Sequence, residues 1–115
     1  MIVGVGIDII EVNRVKKLIE KTPRALKKIY TPLEIRYCQG KKNCYQHLAA
    51  RFASKEAFFK ALGKRINWRD VELVNLASGK PQLKIKSNDK YPFDTIHVSI
   101  SHLKDYAQAV VILEK

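Results

Sequence analysis

The first ten residues constrain the fold most. Residues 2–10 alternate imperfectly with a period of two, and a strand is the element that sends alternate residues to opposite faces. Val3, Val5, Ile7 and Ile9 share one face; Gly4, Gly6 and Asp8 share the other. The second face is nearly bare, so another element can approach its backbone closely. An aspartate there is costly to bury without a partner. Two readings of Asp8 stay open: the strand ends at Ile7 and Asp8 caps the next element, or Asp8 serves a ligand.

Helical signals come next. Val12, Val15, Leu18 and Ile19 keep helical spacing, and Thr22-Pro23 predicts an N-cap with proline at the first helical position. Thr31-Pro32-Leu33-Glu34 predicts a capping box opening a short helix that stops at Gly40. Asn43-Cys44-Tyr45-Gln46 has the same form and opens the longest helix, over residues 44–62, with Gly63 as its stop. Leu48, Phe52, Phe59 and Leu62 run down one stripe of it, while Ala49, Ala53 and Ala57 permit close packing.

From Val71 the period changes to two. Strands are predicted over 71–76, 82–86, 95–101 and 106–113, with turns at Ser78-Gly79-Lys80-Pro81 and Lys104-Asp105. Ile96, Val98 and Ile100 point inward; His97, Ser99 and Ser101 point outward. The expected fold is α+β: an antiparallel sheet with one long helix and shorter helices packed on one face. A chain of 115 residues predicts one domain over 1–115. No run of apolar residues is long enough to span a membrane. Residues 1–10 have no basic n-region and include Asp8, so no signal peptide is expected and the cytoplasm is the expected location.

Charge is unevenly distributed. Residues 14–65 hold fifteen Lys or Arg against three Glu, a net +12 within a chain of net +11. Such asymmetry implies a polyanionic partner or, more simply, a solvated basic face. Cys38, Cys44 and His47 form a loose Cys-x5-Cys-x2-His cluster, but zinc takes about four ligands and no fourth is evident. Partly buried, reduced thiols are the expectation.

Two further segments carry chemistry. In Arg51-Phe52-Ala53-Ser54-Lys55-Glu56-Ala57-Phe58-Phe59-Lys60, Glu56 and Lys60 stand four apart. That spacing suits a surface ion pair, yet the apolar flanks suggest a largely buried helix with its charges facing a cleft. In His97-Val98-Ser99-Ile100-Ser101-His102, hydroxyls and an imidazole line one strand face. They could bind a phosphate-bearing ligand, form a Ser–His pair or face solvent. Two carboxylates, a lysine and a basic shell suit a magnesium ion and transfer of a phosphoryl-type group.

At these segments the sequence resembles holo-acyl carrier protein synthase, the small bacterial type of phosphopantetheinyl transferase. The matching stretches are Gly4-Val5-Gly6-Ile7-Asp8-Ile9 with Arg14, Arg51 to Ala57 with Lys60, and His97 to His102; Ser78-Gly79-Lys80-Pro81 matches a family turn. The resemblance spans the chain. It implies transfer of the 4′-phosphopantetheine arm of coenzyme A to a serine of an acidic acyl carrier protein, in support of fatty acid biosynthesis. It implies Asp8 and Glu56 as Mg2+ ligands, Glu56 also as base, directly or through a water, and Lys60 as neutraliser of the leaving adenosine 3′,5′-bisphosphate. Lys41, Lys42, Arg51 and His97 would surround the coenzyme's phosphates and adenine, with Gly79, Lys80 and Pro81 on the adenine side. Arg14 and its basic neighbours would meet the carrier. It further implies a homotrimer whose active sites are shared between subunits. After Leu62-Gly63 the family commonly continues with a small glycine-containing turn, where this chain has Lys64-Arg65. The rival reading, a basic nucleic-acid-binding module, fits the charge but has no use for Asp8 or Glu56 and lacks an aromatic stacking platform.

Overall fold

A computed structural model describes all 115 residues. The chain runs β1 (Ile2–Glu11), α1 (Val12–Lys21), α2 (Ala25–Ile29), α3 (Pro32–Gln39), α4 (Cys44–Leu62), a 3₁₀ turn (Trp68–Asp70), β2 (Val71–Asn75), β3 (Pro81–Ile85), β4 (Thr95–His102) and β5 (Tyr106–Glu114). β1, β5 and β4 form an antiparallel sheet in that order, and β2 and β3 form a separate hairpin. The helices and antiparallel strands are the α+β arrangement expected from the sequence.

β1 runs unbroken through Asp8 to Glu11, so Asp8 is a strand residue and not a cap at the strand's end. Its glycine face receives α4. A Cβ built on Gly6 would lie 1.9 Å from the Ala57 carbonyl oxygen, and one on Gly4 would lie 2.1 Å from that of Ala61. Two strand residues advance about 6.7 Å and one helical turn of four residues about 6 Å, so successive glycines meet successive turns. Ala49, Ala53, Ala57 and Phe58 on α4 are fully buried, as are Ala107, Ala109, Val111 and Leu113 on β5. The other sheet face stays open: Val5, Ile7 and Ile9 remain 60%, 54% and 61% exposed.

Helix termini divide the sequence signals. The capping box at Thr31 forms, with the Glu34 N–H donating to Thr31 Oγ1 at 3.3 Å and the Thr31 N–H to Glu34 Oε1 at 2.9 Å. The box expected at Asn43 does not. Asn43 Nδ2 donates to Gln46 Oε1 at 2.9 Å, so the two amides satisfy each other and make no cap bond to the backbone. Thr22-Pro23 opens a turn instead of a helix: the Thr22 carbonyl, not its hydroxyl, accepts from the Ala25 N–H at 2.9 Å, and α2 starts after Arg24. Gly63, at φ +85°, ends α4 as expected, its N–H donating to the Phe59 carbonyl at 2.9 Å.

A buried polar hub ties the helices together. Lys55 Nζ donates to Glu34 Oε1 at 2.6 Å, the Ile29 carbonyl at 2.7 Å and the Trp68 carbonyl at 3.0 Å. Its three donors are thereby used. Glu34 Oε2 accepts from the Leu73 N–H at 3.0 Å, and Thr31 Oγ1 donates to Glu72. No helix is long and apolar enough to cross a membrane.

The β1–α4 contact yields a direct test. Gly6→Ala places a methyl against helix backbone, which cannot rotate aside, and is expected to cost roughly 3 kcal/mol or more. Urea unfolding measures it; a loss within about 0.5 kcal/mol, the range of ordinary surface substitutions, would contradict the close approach.

Candidate functional site

β1 and α4 bring two carboxylates together. Asp8 shares the Gly4–Gly6 face and stands opposite the small Ala109 on β5, its side chain only 16% exposed. Glu56 lies on α4, close enough that its charge acts on Asp8. Lys60 Nζ donates to Asp8 Oδ1 at 3.2 Å and to the Ile7 carbonyl at 2.9 Å. Burial raises the Asp8 carboxyl above its ordinary value and the Glu56 charge adds to this, while Lys60 and, more weakly, Arg14 oppose it. Arg14 on α1 is thus within electrostatic reach of Asp8.

Glu56 and Lys60 do not form the i,i+4 pair their spacing allows. Lys60 turns to Asp8, and Glu56 is held by Arg65 through two hydrogen bonds, Nη1 to Oε1 at 2.9 Å and Nη2 to Oε2 at 3.0 Å. The helix is largely buried with these charges at its rim, as the apolar flanks suggested. Two oxygen-bearing side chains from different elements fit a hard divalent cation, which completes its shell with phosphate oxygens and waters. Their present partners are flexible: the Lys60 and Arg65 side chains are 55% and 64% exposed and can yield to such an ion.

A second cluster lies toward the N-terminal half of α4. A cavity of about 170 Å³ opens between α3, α4, the β2–β3 hairpin and the end of β4. Tyr37, His47, Arg51, Asn75, Gly79 and His102 are among its walls. Arg51 is 2% exposed, yet no carboxylate pairs with it. Its guanidinium lies 4.3 Å over the Tyr37 ring, Nη2 donates to Asn75 Oδ1 at 2.9 Å, and Nε is buried without a partner. Asn75 Nδ2 in turn donates to the Gly79 carbonyl at 3.1 Å. Lys41 Nζ sits 4.8 Å over the same tyrosine ring. Burial, then the charges of Arg51, His102 and Lys41, hold the His47 imidazole below its ordinary value. A buried cation with a spare donor, among other basic groups, fits an anionic ligand.

The residues singled out by sequence divide accordingly. Asp8, Glu56 and Lys60 form the first cluster; Arg51, Gly79 and Pro81 line the cavity, with Lys41 beside it. Lys42 and Lys80 are exposed in the turns before α4 and before β3. His97 is elsewhere in this chain: it shares the outer sheet face with Ser99 and Ser101, and its Nε2 is 2.9 Å from Glu114 Oε1. Ser101 and His102 fall on opposite strand faces, so adjacent residues here make no Ser–His pair. Cys38 is fully buried and burial pushes its thiol up to about 12, while His47 packs edge-on against Tyr37 and His102. Sequence reading missed Tyr37, His47, Asn75 and His102 as wall residues. Two signals were present: His47 lies one helical turn before Arg51, and His102 alternates onto the inward face of β4.

The comparisons with known proteins agree over the whole length. The profile described as the 4′-phosphopantetheinyl transferase superfamily matches residues 4–111. The chain is 47% identical to a holo-[acyl-carrier-protein] synthase of Halothermothrix orenii, covering 100% of this chain and 99% of the relative. A synthase of Oceanobacillus iheyensis is 44% identical over 99% and 98% of the two chains. Among solved structures, a holo-(acyl-carrier-protein) synthase of Bacillus anthracis in complex with CoA (3′,5′-ADP) superposes with a TM-score of 0.85 at 39% identity, covering 100% and 98%. The synthase of Neisseria meningitidis gives a TM-score of 0.87 at 31% identity, covering 100% of both chains.

The cavity's charge makes His47 a reporter. Its folded value lies below the unfolded one, which is near 6.5, so stability falls as pH drops through the window just below 6.5. The expected NMR titration midpoint of His47 is below that value, and inorganic pyrophosphate should move it upward by stabilising the imidazolium. A midpoint indifferent to pyrophosphate would count against an anion site at Arg51.

Proposed function

The chain belongs to the 4′-phosphopantetheinyl transferase superfamily, and from that membership we propose how its own residues perform the reaction. The enzyme transfers the phosphopantetheine arm of coenzyme A to a serine of apo-acyl carrier protein, giving holo-acyl carrier protein and adenosine 3′,5′-bisphosphate, a step that serves fatty acid biosynthesis. The observation that carries the assignment of residues is the pairing of two clusters along α4: buried Arg51 without a counter-ion, and Asp8 with Glu56 beside Lys60.

In this reading Arg51, its unused Nε and Lys41 receive phosphate groups of the coenzyme. Gly79, Lys80 and Pro81 line the adenine side, with Lys42 nearby. Asp8 and Glu56 hold Mg2+. Bound there, the ion would supply charge neutralisation for a phosphoryl-type transfer, in which positioning and electrostatics carry most of the rate. The carrier's serine oxygen forms a bond to the phosphorus bearing the pantetheine arm, and the bond from that phosphorus to the bridging anhydride oxygen breaks. Glu56 takes the serine proton, directly or through a water. Lys60 neutralises the charge that builds on the leaving adenosine 3′,5′-bisphosphate. Arg14 and its basic neighbours on α1 meet the acidic carrier, and the influence of Arg14 on Asp8 supports a docking surface next to the reacting groups.

We assign the open sheet face to a homotrimer. Val5, Ile7 and Ile9 lie beside Ile112, Val110 and Gln108 on that face, and an apolar surface of this kind calls for cover. His97 stands on the same face, across from Ile112. A ring of chains would bring His97 and its strand to a neighbour's Asp8–Glu56 site, a head-to-tail contact that closes.

Two measurements test this reading. Glu56→Gln, a poor metal ligand and no base, is expected to lose about a hundredfold or more in rate, roughly 2.7 kcal/mol of barrier. Mass spectrometry of an apo carrier protein incubated with coenzyme A and Mg2+ reads it; turnover within a few-fold of the parent would remove Glu56 from the mechanism. For the ring, inactive Glu56→Gln chains are mixed with inactive His97→Ala chains. Shared sites predict recovered activity, because some boundaries join two intact halves. A monomer by light scattering, or no recovery after verified exchange, would refute shared sites.

A further inference from the structure

The two-point pair between Arg65 and Glu56 has no part in the transfer as described, and it occupies both oxygens of a proposed metal ligand. Local sequence creates it. Gly63 takes the left-handed conformation at φ +85°, so the chain reverses after α4 and carries Arg65 back beside Glu56, nine residues earlier. The guanidinium is steered on the way by two rings, lying 5.5 Å from the centre of Phe59 and 5.8 Å from that of Trp68. Lys64-Arg65 stands where a small glycine-containing turn would leave Glu56 open.

We propose that Arg65 is an internal counter-ion that guards Glu56 until coenzyme arrives, so that the divalent cation and coenzyme A load the site together. This rests on the metal-site reading of Asp8 and Glu56. The charge balance carries the argument. Asp8 and Glu56 are matched one for one by Lys60 and Arg65, so these four groups sum to zero, and Arg14 near Asp8 and Lys64 in the groove add positive charge around them. A divalent ion arriving alone must displace a bidentate guanidinium that stays tethered nearby, so the ion and the four groups together carry a net of about +2, which a site of reduced dielectric resists. Coenzyme brings a pyrophosphate whose oxygens would share the ion's charge and offer the displaced guanidinium a new two-point contact. Arg65 is 64% exposed on a short reversal, next to an open groove of about 330 Å³ lined by Glu56, Phe59, Lys60, Gly63 and Lys64. It can therefore swing from carboxylate to phosphate without disturbing the core. The coupling is reciprocal: whatever factor coenzyme contributes to metal affinity, the metal contributes to coenzyme affinity.

Titration of Mn2+ into the full chain, followed by its electron paramagnetic resonance signal, tests this with and without coenzyme A and with no carrier protein present. Three chains are compared: the parent, Arg65→Gln and Glu56→Gln. Without coenzyme, Arg65→Gln should bind Mn2+ about fivefold or more tightly than the parent. Coenzyme should then strengthen Mn2+ binding less in Arg65→Gln than in the parent, because no guard remains to be relieved. If Arg65→Gln binds Mn2+ no more tightly than the parent while Glu56→Gln still binds it more weakly, the guard is refuted and the metal site stands. If Glu56→Gln binds Mn2+ as the parent does, the metal-site reading fails and the guard fails with it.

Discussion

The backbone of α4 lies directly on the backbone of β1, and the rest of the site depends on that contact. No side chain separates Gly4 from Ala61 or Gly6 from Ala57. With the helix seated so close, the next residue on the same strand face is Asp8, and the residues at the helix rim are Glu56 and Lys60. A larger residue at either glycine would lift the helix and pull the carboxylates apart. The same contact decides what stays outside. Because the glycine face takes the helix, the Val5, Ile7 and Ile9 face must point away from it, together with His97 on β4. One strand thus holds a proposed metal ligand on one side and a proposed subunit surface on the other.

Two buried cations on α4 show how the same residue class can be structural or functional. Lys55 and Arg51 are four residues apart and both are at most 2% exposed. Lys55 directs its three donors to one carboxylate and two backbone carbonyls from α2, α3 and the 3₁₀ turn. A buried charge so completely partnered has nothing left for a ligand; removing it would strand Glu34, a change that typically costs about 3–5 kcal/mol. Arg51 has a ring and one amide as partners, its Nε is buried without one, and no anion pairs with it. Burial alone does not separate the two. The inventory of partners does, and it marks Arg51 as the one waiting for a charge.

Much of this was legible in the sequence where the cause is local. The period-two pattern of β1 and its bare face depend on neighbouring residues, and both hold in three dimensions. So does the Thr31 capping box, whose proline at the first helical position leaves few alternatives. The Asn43 box fails because an amide side chain can donate as well as accept, and Gln46 offers a partner that a backbone cap must outcompete. The Glu56–Lys60 pair fails for a tertiary reason: each charge finds a better partner on another element, Arg65 across the Gly63 reversal and Asp8 on β1. Spacing along a helix tells which residues can meet and is silent on competitors. The cavity was the least legible part. Tyr37, Arg51, Asn75, Gly79 and His102 come from distant parts of the chain, and only packing of the hairpin against α4 assembles them.

The concentrated positive charge of residues 14–65 reads differently once located. It does not form one uniform field. Beside Asp8 and Glu56, Lys60 and Arg65 are each matched by a carboxylate. Around Arg51 the cations are unmatched, held over one tyrosine ring and near a histidine whose titration they push below its ordinary value. A ligand that carries a separate phosphate besides its pyrophosphate meets these clusters differently. The unmatched end attracts it outright, with no internal pair to break. Under the guard proposed for Arg65, the matched end becomes receptive only when an extra cation and an extra anion enter together. Under the same proposal the nucleotide end would anchor first and the reacting pyrophosphate would complete the second cluster. Recognition and chemistry are then separated along one helix, by whether each buried or half-buried charge already has its partner.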